Sequence, residues 1–300
     1  DAALAREWDA PALRVAHVRA GRDGDEALLE VDGLRCAACA WLVERALRAQ
    51  PGVRVPPSLV NIYKEMQTDL GISPARHGAF STPIEMMSFI AQLRTLSDGK
   101  PVGFKLCIGQ PWEFMAMVKA MLETGILPDF IVVDGAEGGT GASPLEFSDH
   151  LGMPMREGLL FVHNTLVGTG LRSKIRIGAA GKIVSAFDMA ATLALGADWV
   201  NAARGFMFAL GCLQSLTCNT NRCPVGVATQ DPLLQRVLVV PEKSERVFNF
   251  HRNTLHALAE MIAAAGVDHP SQIGPHHLVR RVSQTEIRLF SQLHTFLTEK

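Results

Sequence analysis

Four short apolar runs alternate with helix-like segments between residues 101 and 205, and this alternation constrains the fold more than any other feature of the chain. The apolar runs cover residues 101–109, 129–135, 173–181 and 197–205, and each ends in glycine or polar residues. The segments between them have helical character: PWEFMAMVKAMLETGI, REGLLFVHNTLVGTGL and SAFDMAATLALGA. Strands that alternate with helices are typical of parallel βα units. The sequence therefore predicts an α/β fold built on a parallel sheet.

The unusual residues lie at the ends of these strands rather than on the helices. In a (β/α)8 barrel of the TIM type the active site gathers at the carboxyl ends of the strands. Four units make half of such a barrel, so we expect the C-terminal part of one. A half barrel leaves two sheet edges open, and open edges favour pairing with another chain. The alternatives for such a half barrel are a homo-oligomer, a fusion or truncation product, and a piece that needs another chain as its partner.

The charge and cysteine content exclude several classes of protein. Lys and Arg total 29 against 30 for Asp and Glu, so no overall field favours nucleic acid. The longest apolar stretch is interrupted by Asp188, Asp198 and Arg204, and we expect no membrane span. The N-terminal residues do not resemble a signal peptide, and the cysteines are not spaced as in a secreted disulfide scaffold. These features predict a cytoplasmic protein.

A glycine-rich loop, DGAEGGTGASPL, follows the second apolar run. Glycine lets the backbone approach a planar or anionic ligand closely, although such a loop can also be only a tight turn. The candidate ligand-binding residues in this loop are Asp134, Gly138, Gly139, Thr140 and Gly141.

Small residues also lie at the ends of the third and fourth runs. A barrel phosphate site needs them there, because backbone amides must reach the phosphate. The candidates for this site are Gly178, Ala180, Gly181, Ala203 and Arg204.

Lys105 lies inside the first run, which is otherwise apolar. Either this lysine points into a barrel mouth, or the run is not a strand. A buried cation needs an anionic partner, and we expect a reduced flavin or a keto acid to supply the charge.

Three cysteines, Cys212, Cys218 and Cys223, fall close together with five residues in the first gap and four in the second. Their spacing is compatible with an iron–sulfur cluster or a zinc site. Three buried structural cysteines are the alternative, which the polar residues 219–222 between two of them disfavour.

Residues 73–300 resemble the FMN-binding synthase domain of glutamate synthase, and most nearly its stand-alone form without a glutaminase domain. The resemblance is carried by GFKLCIG, DFIVVDGAEGGTGASPLEF, IRIGAAGKI and ARGFMFALGCLQSLTCNTNRCPVGVATQ. It implies FMN and a [3Fe–4S] cluster as cofactors. It also implies reductive amination of 2-oxoglutarate to glutamate through 2-iminoglutarate. The nitrogen would come from ammonia or glutamine, and the electrons from a reductase subunit or ferredoxin.

The resemblance also implies roles for individual residues. Cys212, Cys218 and Cys223 would ligate the cluster. Lys105 would lie near the flavin pyrimidine or the substrate carboxylate and act in catalysis. The loop at 138–141 would line the site, while residues 178–181 and 203–204 would hold the FMN phosphate.

Residues 26–55 differ from the rest of the chain. They resemble the first half of a heavy-metal-associated domain of copper P-type ATPases, with a strand over 26–34 and a CxxC motif opening a helix. The resemblance implies a partial ferredoxin-like βα unit in which Cys36 and Cys39 bind Cu(I). A remnant without a complete fold is the alternative. We expect residues 1–55 to form this segment and residues 56–72 to form a junction. A Cu(I)-binding module and an inactive fragment or fusion are therefore the alternative functions.

Overall fold

The computed structural model describes residues 18–21, 24–27, 77–137 and 148–298. The chain divides into two compact units, Asp1–Lys64 and Glu65–Lys300. In the first unit, strands β1 (Val18–Gly21) and β2 (Gly24–Ala27) pair antiparallel. The rest of the expected 26–34 strand, and the expected helix with Cys36 and Cys39, lie outside the described residues.

The second unit contains the expected alternation of strands and helices. Its elements are, in order, α1 (Pro83–Leu96), β3 (Gly103–Cys107), α2 (Pro111–Thr124), β4 (Phe130–Asp134), α3 (Met155–Gly168), β5 (Arg176–Ala180), α4 (Ala186–Ala194), β6 (Trp199–Asn201) and α5 (Arg204–Leu210). The later elements are α6 (Pro232–Gln235), α7 (Val240–Ala264), β7 (Val279–Arg281), β8 (Ile287–Leu289) and α8 (Phe290–Leu293), with 3₁₀ turns at Cys218–Thr220 and Pro270–Gln272.

Strands β3, β4, β5 and β6 form one parallel sheet in that order. Each of the first three is followed by a helix that returns the chain to the same end of the sheet. Successive parallel strands joined in this way are the arrangement found in one half of a (β/α)8 barrel. The predicted α/β fold with a parallel sheet is confirmed. Among the described residues, β3 and β6 each pair with only one neighbour in this sheet.

One face of the sheet is covered by helices. The side chains of Ile131, Val133, Ile177 and Ala179 are fully buried on this face. Helix α3 packs closely here, because a Cβ placed on Gly158 would lie 3.4 Å from Val133 Cγ1. Side chains alternate between the two faces of a strand, so Lys105, Val132 and Gly178 belong to the opposite face. This opposite face is the one that would line the inside of a barrel.

Local capping fixes where several helices begin. Thr82 accepts a hydrogen bond from the Glu85 N–H, and Glu85 accepts one from the Thr82 N–H, so α1 starts with a capping box. Ser185 and Asp188 make the same exchange at the start of α4. No helix within the described ranges is long and apolar enough to cross a membrane.

Candidate functional site

The carboxyl ends of the four parallel strands meet in one row. Cys107 pairs with Asp134, Asp134 with Ala180, and Ala180 with Asn201 in the sheet register. Residues paired in this way lie on the same face of the sheet. The polar residues predicted from separate strand ends are therefore neighbours on the face without a helical cover.

Lys105 forms an ion pair with Asp134, with 2.6 Å between Nζ and Oδ2. The side chain of Lys105 is 51% exposed and that of Asp134 is 18% exposed. Lys105 is therefore half exposed rather than buried, and its interaction with a flavin or a keto acid stays a prediction. Its charge is balanced by a carboxylate from the neighbouring strand, and its ammonium group reaches solvent. Asp134 also accepts a hydrogen bond from the Gly135 N–H at 3.1 Å.

Cys107 lies beside this ion pair at the end of β3. Its thiol donates to the Met153 carbonyl at a sulfur–oxygen distance of 3.7 Å. A Cβ added to Gly152 would lie 2.6 Å from the sulfur, so the thiol is closely packed although the residue is exposed overall. Burial, followed by the charge of Asp134, raises the pKa of the Cys107 thiol. Cys107 is therefore held in the neutral form.

Glu137 connects the loops after β4 and β5 to helix α3, a role that the sequence did not indicate. Its two carboxylate oxygens accept from the Met155 N–H at 2.9 and 3.0 Å. Gly135 and Gly181 allow the close approach, since a Cβ on Gly135 would clash with the Glu137 carboxylate and one on Gly181 would lie 2.7 Å from Met155 Cβ. An acidic side chain at the start of a helix is also favoured by the helix dipole. The candidate residues Gly138, Gly139, Thr140 and Gly141 lie outside the described residues.

Gly178 is covered by an aromatic ring. A Cβ at this position would lie 2.5 Å from Cε2 and Cζ2 of Trp199, the residue opposite it on β6. The Trp199 ring also packs edge-on against Phe130. Glycine is therefore needed at position 178 to leave room for the Trp199 ring. Its role in phosphate binding stays a prediction.

The other candidate phosphate residues come from two adjacent strand ends. Ala180 and Asn201 are register partners, and Ala203 and Arg204 follow Asn201 at the start of α5. A Cβ on Gly205 would lie 3.5 Å from the Val184 carbonyl oxygen, so the start of α5 lies against the loop after β5. Arg204 forms no ion pair with any residue in the described ranges. The Arg204 side chain, at the start of α5, and the backbone of the loop after β5 are therefore close together, and both could donate hydrogen bonds to a phosphate.

The three clustered cysteines are free thiols with different environments. Cys223 is buried, while Cys212 and Cys218 are partly exposed. Burial opposes ionisation of Cys223, but the backbone N–H groups of residues 225–228 lower the pKa of its thiol below the ordinary value. Such a cradle suits a metal-bound thiolate. Among the residues that the structure describes, however, no three His, Cys, Asp or Glu side chains lie close enough to hold a metal ion. Cysteine sulfur is the type of ligand that iron–sulfur clusters use. The three sulfurs, however, are not gathered around one position in this structure.

Sequence comparison identifies the family to which this α/β unit belongs. Residues 49–268 match the family model described as the conserved region in glutamate synthase. The chain belongs to the glutamate synthase family, as the resemblance indicated. The match begins after Cys36 and Cys39, and the comparisons give no support to the resemblance of residues 26–55 to a copper domain.

Individual relatives agree with this assignment. The chain is 44% identical over 227 residues to the glutamate synthase large subunit-like protein YerD of Bacillus subtilis, covering 75% of this chain and 43% of that protein. It is 34% identical over 219 residues to an archaeal glutamate synthase [NADPH] of Methanocaldococcus jannaschii, covering 73% of this chain and 42% of that protein. The chain thus spans less than half the length of these curated relatives.

Among solved structures, the chain is similar to a flavocytochrome b2 mutant with pyruvate bound. The TM-score is 0.40 at 16% identity, with 71% of this chain and 42% of that chain covered.

Proposed function

We propose that this chain is part of an FMN-dependent glutamate synthase that converts 2-oxoglutarate and ammonia or glutamine-derived nitrogen to glutamate through 2-iminoglutarate. Membership of the glutamate synthase family supports the reaction. The structural observation that carries the proposal is the Lys105–Asp134 ion pair on the uncovered face, at the carboxyl ends of the strands. An electron donor is also required, and the names of relatives specify NADPH or ferredoxin.

Lys105 would bind the anionic part of a ligand at this face. An ammonium group has three N–H donors, and Asp134 accepts at one of its oxygens, so donors remain for a substrate carboxylate or the flavin ring. Asp134 would hold the ammonium group in one position through the ion pair. FMN, when bound, would supply the hydride that reduces the imine carbon.

Arg204 and the backbone around Gly181 and Ala203 would hold the FMN phosphate. A guanidinium can bind phosphate through two parallel hydrogen bonds, and Arg204 has no competing ion pair with a described residue. Small residues beside it leave backbone N–H groups accessible. Phosphate binding would therefore depend on Arg204, while ring binding would depend on Lys105.

The flavin site is tested by titrating the chain with FMN and with riboflavin, which lacks the phosphate, and following flavin fluorescence. Arg204→Gln should raise the Kd for FMN about tenfold and leave the Kd for riboflavin unchanged, because a charged hydrogen bond contributes about 1.5–3 kcal/mol. Arg176→Gln is the matched control, since Arg176 is at the opposite end of β5 and pairs with Asp198. Equal losses for the two flavins would contradict the assignment of Arg204 to the phosphate.

We also propose that Cys212, Cys218 and Cys223 bind an iron–sulfur cluster. Three thiolates are suitable ligands for iron, and the amide cradle around Cys223 supports one of them. Binding would require the loop between Cys212 and Cys223 to bring the three sulfurs together. After anaerobic reconstitution, the unmodified chain should contain iron and acid-labile sulfide, and Cys218→Ser should lack both. Cys107→Ser is the control. Iron retained in Cys218→Ser would contradict the proposal.

A further inference from the structure

A cavity of about 290 Å³ lies at the C-terminal end of the described chain, apart from the strand ends. It is formed by the hairpin of β7 and β8 and by the segment around α8. The lining residues are Arg280, Arg281, Val282, Leu293 and His294. Two arginines and a histidine around two apolar side chains make a small, positively charged pocket with a partly apolar wall.

The positive charge in this hairpin is incompletely neutralised by the protein. Arg280 lies directly opposite Arg288 in the register of β7 and β8, and like charges in such positions repel each other. Arg288 pairs with Glu286. Arg281 donates a hydrogen bond to the Gln284 carbonyl at 3.0 Å. Arg280 makes no ion pair with any residue in the described ranges, so its guanidinium group is available to bind an anion.

The histidine in the pocket is close to the first turn of helix α3. Burial lowers the pKa of His294; the positive charges of Arg156 and Arg280 act in the same direction, and Glu157 opposes them. The imidazole is therefore neutral near pH 7 and can donate one hydrogen bond to a ligand.

We propose that this pocket binds a small dicarboxylate, with the Arg280 guanidinium and the His294 imidazole N–H donating to its carboxylates. Guanidinium groups bind carboxylates through paired hydrogen bonds. Val282 and Leu293 would contact the hydrocarbon part of the ligand, which a free phosphate lacks. The volume is just below the range of about 300–1,000 Å³ usual for drug-sized ligands, which suits a short carbon chain. This proposal is independent of the flavin site.

The proposal is tested by isothermal titration calorimetry of the full chain with succinate and, separately, with inorganic phosphate. We expect the pocket to give a saturable succinate site with a Kd at or below the order of 1 mM, separate from any succinate bound near Lys105. Arg280→Gln should raise this Kd at least about tenfold, through loss of a charged hydrogen bond. Arg280→Lys should restore only part of the affinity, because an ammonium cannot make the paired contact.

Two control variants distinguish binding in this pocket from a general charge effect of the hairpin and from binding at the strand ends. Arg288→Gln removes a positive charge from the same hairpin without altering a lining residue, so it should leave the affinity nearly unchanged. The succinate site that is lost in Arg280→Gln should persist in Lys105→Gln, which removes only a cation of the strand-end site. Circular dichroism would confirm that each variant is folded. Absence of saturable succinate binding, binding of phosphate alone, or equal losses in Arg280→Gln and Arg288→Gln would overturn the proposal.

Discussion

The two ends of the parallel sheet use similar charged residues in different ways. At the amino end, Asp198 forms an ion pair with Arg172 at 2.9 Å, and it accepts hydrogen bonds from Arg176 at 3.1 Å and from the Ile177 N–H at 2.7 Å. Asp129 accepts at this end from Arg94 at 2.8 Å and from the Val102 N–H at 2.7 Å. At the carboxyl end, Asp134 forms an ion pair with Lys105, whose side chain is half exposed.

This difference separates charges that are fixed within the fold from charges that keep free donors. The carboxylates at the amino end join neighbouring strands and arginines through fixed hydrogen bonds, so little capacity remains for a ligand. His163 belongs to the same network, because its Nδ1 accepts from the Arg172 Nε–H at 3.2 Å. At the carboxyl end, Lys105 and Arg204 keep donors that a ligand can use. The positions agree with the general rule that barrel active sites lie at the carboxyl ends of the strands.

Removing Asp198 should have the largest effect on stability. Asp198→Ala would leave the largely buried Arg172 without its carboxylate and the Ile177 N–H without its acceptor. We expect a loss of about 2–4 kcal/mol in the free energy of unfolding, measured by urea denaturation. Asp134→Ala at the other end should cost about 1 kcal/mol or less, because its partner is exposed. Equal costs for the two variants would remove the distinction between the ends.

Gly178→Ala should have an intermediate effect. The added methyl group would lie 2.5 Å from the Trp199 ring, which must then move. We expect a loss of about 1–3 kcal/mol in the free energy of unfolding, together with a change in tryptophan fluorescence. Gly109→Ala is the control, because its nearest neighbour would be the flexible Glu113 carboxylate at 3.4 Å. A stable Gly178→Ala variant with altered FMN affinity would instead favour a direct role in ligand binding.

Asp129, at the amino end of the sheet, should make a smaller contribution to stability, which appears as a pH dependence of the free energy of unfolding. Burial alone would raise the pKa of Asp129, but hydrogen bonds from Arg94 and the Val102 N–H lower it below its usual value. A carboxylate with a lowered pKa in the folded state stabilises the fold above its unfolded pKa of about 3.9, and this stabilisation is lost as the pH falls through the folded value. Between about pH 5 and pH 3, unfolding free energy should therefore fall more steeply in the unmodified chain than in Asp129→Asn. Parallel curves would show that Asp129 does not contribute.

The sequence predicted the sheet well because its signals are local. The runs at 101–109 and 129–135, and the helical segments after them, carry their own periodicity, and the observed strands and helices lie within or close to these ranges. The partner of Lys105 was not predicted, because the contact with Asp134 depends on the register between β3 and β4. Sequence also could not show that Gly178 accommodates Trp199, since that contact crosses between strands. Nothing in the glycine-rich loop indicated that the Glu137 carboxylate would accept from the Met155 N–H.

The central claim is that the carboxyl end of the sheet binds the flavin through Lys105, and flavin titration of two lysine variants tests it most directly. Lys105→Gln should raise the Kd for both FMN and riboflavin about tenfold, because it removes a charged donor beside the ring. Lys174→Gln, at the amino end of β5, should leave both affinities unchanged. Both variants should unfold within about 1 kcal/mol of the unmodified chain. Unchanged affinity in Lys105→Gln, or an equal loss in Lys174→Gln, would contradict the account.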